Sequence, residues 1–367
     1  MDERKALYLL YSSEELWTET VSAMREYAGS YEAALSVPNS VWRREGIFPN
    51  EKKASAFSSI LRNEKELLAK LEDFESRGMR LVTHLDEEFP ERLKNIPNPP
   101  LLLWVLGRLP KDNIPSVSIV GARECSDYGT GVAEYFGREL AKKGIQIVSG
   151  LAYGIDSAAG QGAFDGGGSS FAVLGTGVNV CYPKESYSLY RKLTDEDTPG
   201  GIISEFMPGA AALKHHFVMR NRIIAGLGDT LLVIEAREKS GTSITVGYAL
   251  DQGKDIFALP GRITDPLGFG CNRLLKDGAI PLTSPDDVLE YFGMEENGQM
   301  TLGFKDTSTL SPAEKRLFDC ISVEACHVED IAARIRMPLQ ETLTVLYRLE
   351  LKGFAQNTGS AYWRRTM

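Results

Sequence analysis

"SIVGARECSDYG", residues 118–129, runs from an apolar stretch through a glycine turn toward a helix. Ser118, Ile119 and Val120 end a short buried-type run at Gly121, and a helix-length amphipathic stretch starts near Gly131. Strand, glycine turn and helix in that order are where a dinucleotide-binding βαβ unit places G-x-G-x-x-G. Here the turn holds Gly121 alone, then Arg123, Ser126 and Tyr128, with the next glycine at Gly129. The turn has the topology of an anion loop without the glycines that wrap a pyrophosphate.

Outward from this turn, the same pattern repeats. "MRLVTHLD", "LLLWVLG", "SVSIV", "IQIVS", "SFAVLG", "GGIISEF", "DTLLVIEA" and "DIFALP" are short runs rich in Val, Ile and Leu, bounded by Gly, Asp or Pro. Strands this continuously apolar are buried on both faces, as in a parallel sheet sandwiched by helices. "GVAEYFGRELAKKG" and "SITVGYALDQG" supply helix-length connections. Residues 78–292 therefore read as an α/β domain: an extended, Rossmann-like, doubly wound and mainly parallel sheet. Residues 1–77 carry apolar residues at three- and four-residue spacing and read as a small helical domain. Residues 293–310 are polar and aperiodic, a linker. Residues 311–367 give three helical patterns and a hairpin with Gly359 at its turn, a winged-helix order.

The 367 residues carry a net charge of −9, which argues against a broad cationic surface but permits a local basic groove. No apolar run approaches the roughly 20 residues of a membrane helix, so no membrane association is expected. The N-terminus shows no export signal. Five scattered cysteines suit reduced thiols and a cytoplasmic location. Cys320, Cys326 and His327 lack a fourth ligand at zinc spacing and read as part of a packed helix.

In an open parallel sheet, ligands bind beyond the carboxyl ends of the strands. Those ends offer Gly121 and Arg123; Gly150 and Gly154; Gly175 and Lys184; Lys214, Phe217, Arg220 and Arg222; and Lys239, Ser240 and Gly241. Small residues, helix starts and cations on one edge make an anion-binding crevice. No nucleophile–base pair, paired carboxylates or metal-ligand spacing accompanies it, so no catalytic residue, metal or cofactor is expected. His215 and His216 are adjacent, and in an extended segment they point apart. Cations beside an aromatic side chain suit a single nucleic-acid strand, whose phosphates meet the cations while a base stacks on the ring.

Taken together, "SIVGARECSDYG", "IVSGLAYGIDSAA", "AVLGTGVNVCYP", "FVMRNRIIAGL", "EAREKSGTSIT" and "FALPGRITDPLGFGCNRLLKDGA" resemble the DNA-processing protein A (DprA/Smf) family over about residues 78–290. The resemblance implies a non-enzymatic homodimer. Such a protein binds and protects incoming single-stranded DNA and loads the RecA recombinase during natural transformation. It also places the family's DNA-pocket cations on Arg123, Lys184 and Lys214 and the stacking aromatic on Phe217. The helical, SAM-like start and the winged helix look like the family's optional ends. Two departures stand out: Tyr153 where the family commonly has a basic residue, and Gly160 where it has a histidine.

Arg220 and Arg222 are two apart, so at most one is expected to face a strand while the other fixes the loop. Asp156 and Glu205 read as structural, a helix cap and a partner for nearby arginines. The helix "PLQETLTVLYRLELKG" brings few base-reading cations, which favours a protein-contact or regulatory role for the winged helix, with only Arg364 and Arg365 suited to phosphates. The rival function is a nucleoside-monophosphate phosphoribohydrolase of the lysine-decarboxylase-like type. That chemistry needs a glutamate where this chain has Thr245.

Overall fold

The computed structural model describes residues 1–195, 197–238, 240–294, 310–322 and 324–365. Most of the expected linker, residues 295–309, lies outside them. Among the described residues, nine strands build one sheet: β1 (Arg80–Thr83), β2 (Leu102–Gly107), β3 (Ser116–Gly121), β4 (Gln146–Ser149), β5 (Ser170–Val173), β6 (Gly200–Ser204), β7 (Thr230–Ile234), β8 (Ile256–Ala258) and β9 (Ile280–Pro281). Their order is β1-β2-β6-β5-β4-β3-β7-β8-β9. From β6 through β9 every neighbour pair is parallel, while β1–β2 and β2–β6 are antiparallel. The doubly wound, mainly parallel reading holds. β9 escaped it because two residues, one of them proline, carry no pattern.

This order fixes where a ligand can go. From β3 the chain winds outward through β4, β5 and β6, then returns to place β7 on the other side of β3. Connections leave β3 and β7 on opposite courses, and their carboxyl ends part to form a crevice. Every residue of β4, β5, β6 and β7 is buried. Gly121 closes the floor: a methyl built on it would lie 1.9 Å from the Ile234 carbonyl oxygen and 2.6 Å from Ile155 Cγ1.

The helix after β3 begins at Asp127, earlier than its apolar periodicity suggests, because Ser126 caps it. The Ser126 hydroxyl accepts the Gly129 N–H at 3.0 Å and donates to Glu235 beyond β7, whose carboxylate also accepts the Ser126 N–H at 2.8 Å. The anion at this helix N-terminus is thus the protein's own carboxylate, which accounts for the missing glycines of a pyrophosphate loop.

Residues 1–77 are helical, and their apolar side chains share one core with the sheet. The first helix, Glu3–Tyr11, buries Ala6 through Tyr11 without a break. Tyr8 and Phe74 both set ring edges against Trp104 of β2, at 6.0 and 5.5 Å between centroids.

At the other end, helices Pro312–Cys320, Val328–Ile335 and Leu339–Leu351 pack with β10 (Cys326–His327), β11 (Ala355–Gly359) and β12 (Tyr362–Arg365) around Leu317, Leu346 and Trp363. This is the winged helix. Cys326 and His327 form a short strand rather than part of a helix. The hairpin turn itself is made by Ser360 and Ala361, both at positive φ, with Gly359 just before them.

Glycine substitutions separate packing from propensity in this fold. Gly121→Ala forces backbone and side-chain shifts and is expected to destabilise by about 1–3 kcal/mol or more. Gly131→Ala lies within the helix Asp127–Lys142, meets nothing within 4 Å, and should stabilise by about 0.5–1 kcal/mol. Chemical denaturation of the two variants beside the wild type checks both signs.

Candidate nucleic-acid interface

A crevice of about 450 Å³ opens at the parting of β3 and β7. Its walls are the turn after β3 (Gly121 to Glu124), the start of the helix Gly241–Asp251, and the helix Lys214–Leu227. Arg123 and Lys214 border it as exposed cations, and Phe217 as a half-buried ring. The Arg123 guanidinium lies 5.8 Å from the Phe217 centroid and that of Arg220 lies 5.9 Å from it. Tyr182 leans on the same ring at 5.3 Å and 39°. An aromatic side chain with two guanidinium groups beside it is therefore built into the carboxyl edge.

Arg220 holds this arrangement. Its side chain is buried, and Nη1 donates to the carbonyls of Gly150 (2.8 Å) and Val173, at the ends of β4 and β5. Burial pushes the guanidinium down to about 10, which leaves it charged at neutral pH, while Asp156 pulls the other way. Burial likewise raises the Asp156 carboxyl, opposed by Arg220, and that carboxylate accepts the Gly150 N–H at 3.0 Å. Asp156 is structural as expected, although it acts from the second helical position behind Gly154 rather than as the cap.

Arg222 takes no part in the crevice, and this corrects its place among the candidate contacts. It is buried and forms a two-pronged pair with Glu205 at 2.7 and 2.8 Å, while Nε donates to the Asn98 carbonyl at 2.8 Å. Glu205 also accepts from the Tyr11 hydroxyl at 3.3 Å, tying the first helix to this network. Arg220 and Arg222 thus both fix the scaffold, and only Arg220 still borders the site.

The candidate loop glycines serve packing. A methyl on Gly150 would sit 2.7 Å from Asp156 Oδ2, one on Gly154 2.5 Å from the Ala122 carbonyl oxygen, and one on Gly175 2.7 Å from Phe217. Gly175 therefore makes room for the aromatic ring. Ser240 and Gly241 line the crevice at the start of the helix Gly241–Asp251, where the Ser240 hydroxyl is buried and, among the described residues, has no partner and caps nothing. Lys239 lies outside the described residues. Lys184 is exposed, directly after Tyr182 and the cis-proline Pro183. Arg364 donates to Gln356, and Arg365 lies 4.2 Å from the Phe318 centroid, so both hairpin arginines have partners within the protein.

Sequence reasoning missed Tyr182 and Arg237. Tyr182 was legible only as the neighbour of Lys184 in "CYPK"; its contact with Phe217 joins segments distant in the chain. Arg237 lines the crevice, half-exposed, 3.7 Å from Glu124. Tyr153 stands 41% exposed beside Tyr182 and Phe217 in a shallow adjoining hollow, its hydroxyl bonded to Glu185. His215 and His216 stand in the first turn of a helix rather than in an extended segment: His215 is exposed and His216 buried, yet their ring centroids lie 4.5 Å apart.

Fold and site together define an α/β protein with a cationic, aromatic-bearing crevice at the switch point of a mainly parallel sheet. Residues 80–293 match the family described as DNA recombination-mediator protein A, and residues 305–358 match the DprA winged helix domain. The chain belongs to the DNA recombination-mediator protein A family. It is 42% identical over 208 residues to DNA processing protein DprA of Streptococcus pneumoniae, covering 57% of this chain and 72% of that one. It is 34% identical over 321 residues to Protein Smf of Escherichia coli, covering 85% and 84%. Among solved structures, S. pneumoniae DprA superposes with a TM-score of 0.67 at 32% identity, over 79% of this chain and 98% of that one. DNA processing protein A of Helicobacter pylori, described for its single-stranded DNA binding mode, gives 0.51 at 26% identity over 58% and 95%.

The Glu205–Arg222 pair gives a direct stability test. Glu205→Ala leaves a buried guanidinium without its counter-charge and is expected to cost about 3–5 kcal/mol. The double variant Glu205→Leu/Arg222→Leu should cost less than the sum of the single changes, read by a denaturation double-mutant cycle.

Proposed function

We propose that this chain holds single-stranded DNA across the carboxyl edge of its sheet and presents it for recombination during DNA uptake. The observation that carries the proposal is the Phe217 ring at the crevice, flanked by the guanidinium groups of Arg123 and Arg220 at 5.8 and 5.9 Å. Bases of any identity stack on such a ring, at roughly 1–3 kcal/mol each, while phosphates meet cations beside it. In this reading Arg123, Lys184 and Lys214 contact phosphates and Phe217 takes a base. Arg237 adds a cation at the crevice wall, and Tyr182 extends the aromatic surface together with Tyr153, which stands where a basic residue is common in the family. The open start of the helix Gly241–Asp251, with Ser240 and Gly241, adds backbone donors.

The single-strand reading agrees with what the H. pylori relative is described as binding. Delivery of the strand to a RecA-type recombinase, homodimer formation and a cytoplasmic place of action follow from the family and belong to the same proposal. A second copy of the site on a partner subunit raises avidity on one strand. Among the described residues, no helix is long and apolar enough to cross a membrane. We read the chain as a binding protein and not a hydrolase. The position that would bear the hydrolase's glutamate is Thr245, which is buried at 3% exposure, and Asp156 in the crevice is committed to Gly150 and Arg220.

Fluorescence anisotropy with labelled single-stranded and duplex oligonucleotides tests the reading. Single strands should bind more tightly, and with three phosphates neutralised log K should fall with log salt at a slope of about −2. Phe217→Ala should cost about 1–3 kcal/mol of affinity at every salt concentration. Lys214→Ala should lessen the slope by about 0.7. Equal binding of duplex, or affinity unchanged in the Lys214→Ala/Phe217→Ala variant, contradicts the site.

A further inference from the structure

Three potential metal ligands meet beside the crevice. Glu14 lies in the turn between the helices Glu3–Tyr11 and Thr18–Ala28, and His215 and His216 open the helix Lys214–Leu227. Among the described residues, one carboxylate oxygen and one nitrogen from each imidazole lie within 4.8 Å of one another. His216 Nε2 is 3.6 Å from Glu14 Oε1.

His216 provides an observation independent of that clustering. Its side chain is wholly buried, and among the described residues neither ring nitrogen has a hydrogen-bond partner of good geometry, the backbone of Ala211 and Gly175 making only weak contacts. A buried imidazole left unpaired loses its hydration without recompense, which requires an explanation. The ring is also held in place. It stacks on Phe206 at 3.9 Å and 21°, and Trp17 sets its edge against Phe206 at 5.9 Å. His215 stands next to it with ring centroids 4.5 Å apart, exposed and free to adjust, as is Glu14. One ligand is thus fixed by packing and two are adjustable.

We propose that Glu14, His215 and His216 bind a divalent transition metal of the zinc or cobalt class. Two imidazoles and one carboxylate suit such ions, whereas magnesium and calcium take oxygen ligands. Metal–nitrogen bonds of about 2.0–2.1 Å draw the exposed His215 and Glu14 side chains inward toward the fixed His216. Three protein ligands leave a fourth tetrahedral position for water. The ion joins the turn at Glu14 to the first turn of the helix that carries Lys214 and Phe217. It thereby fastens the N-terminal helices to the wall of the crevice.

The test uses the full chain with its thiols reduced, titrated with Co²⁺ and followed by visible absorption. One equivalent should bind and give the ligand-field bands of a nitrogen–oxygen site without thiolate-to-cobalt charge transfer. His215→Ala and Glu14→Gln alter exposed side chains and should leave circular dichroism unchanged while losing that binding; Glu15→Gln should retain it. Zn²⁺ should raise the unfolding temperature of the wild type and leave that of the Glu14→Gln/His215→Ala variant unmoved. Absence of saturable binding, binding that survives in both single variants, or a thiolate spectrum overturns the proposal. This inference is independent of DNA binding, since none of its readouts uses DNA.

Discussion

The guanidinium of Arg220, buried against the carbonyls that end β4 and β5, is the contact on which the arrangement of the crevice depends. A charge in that position needs partners of opposite polarity, and the carboxyl edge of a parallel sheet supplies carbonyl oxygens while Asp156 supplies a carboxylate. The requirement fixes the helix Lys214–Leu227 on the sheet. Phe217 lies one turn before Arg220 and Lys214 another turn before that, so both come to the crevice by helical geometry. Arg222, two residues beyond, meets Glu205 and through it Tyr11, coupling the same helix to the N-terminal segment. One short sequence, "KHHFVMRNR", thereby carries surface contacts in its first half and anchors in its second.

The same logic sets the turn after β3 apart from a pyrophosphate-binding unit. In a pyrophosphate-binding unit the helix after the first strand leaves its N-terminal N–H groups open for the ligand. Here Ser126 and the Glu235 carboxylate occupy that end. The open helix start is the one at Gly241, on the other side of the crevice, where Ser240 makes no cap. The free helix start thus lies at the β7 turn, while the β3 turn presents the exposed side-chain cation of Arg123.

Much of this was legible in the sequence, for identifiable reasons. Parallel strands buried on both faces are continuous apolar runs, and all but the two-residue β9 could be read. Arg123, Lys214 and Phe217 stood at strand ends or in the loop between elements, where ligands gather, and the structure brings them to one crevice. What could not be read were contacts between segments far apart. The Tyr182–Phe217 contact and the Glu205–Arg222 pair depend on folding, and an exposed arginine and a buried one look alike in a string of letters. Helix Glu3–Tyr11 fell inside the stretch read as helical, but the unbroken buried run Ala6–Tyr11 did not mark its bounds. The two histidines were misjudged because a helical segment was taken as extended.

The central claim is that a single strand passes over Phe217 at the carboxyl edge of the sheet. Ultraviolet cross-linking of the full chain to a thymine-rich single strand, followed by peptide mass mapping, tests it most directly. Adducts are expected at Phe217 and its neighbour Tyr182, with those of the Phe217 peptide lost when Phe217 is replaced by alanine. Adducts confined to the winged-helix residues, with none in the segments holding Tyr182 and Phe217, would contradict it.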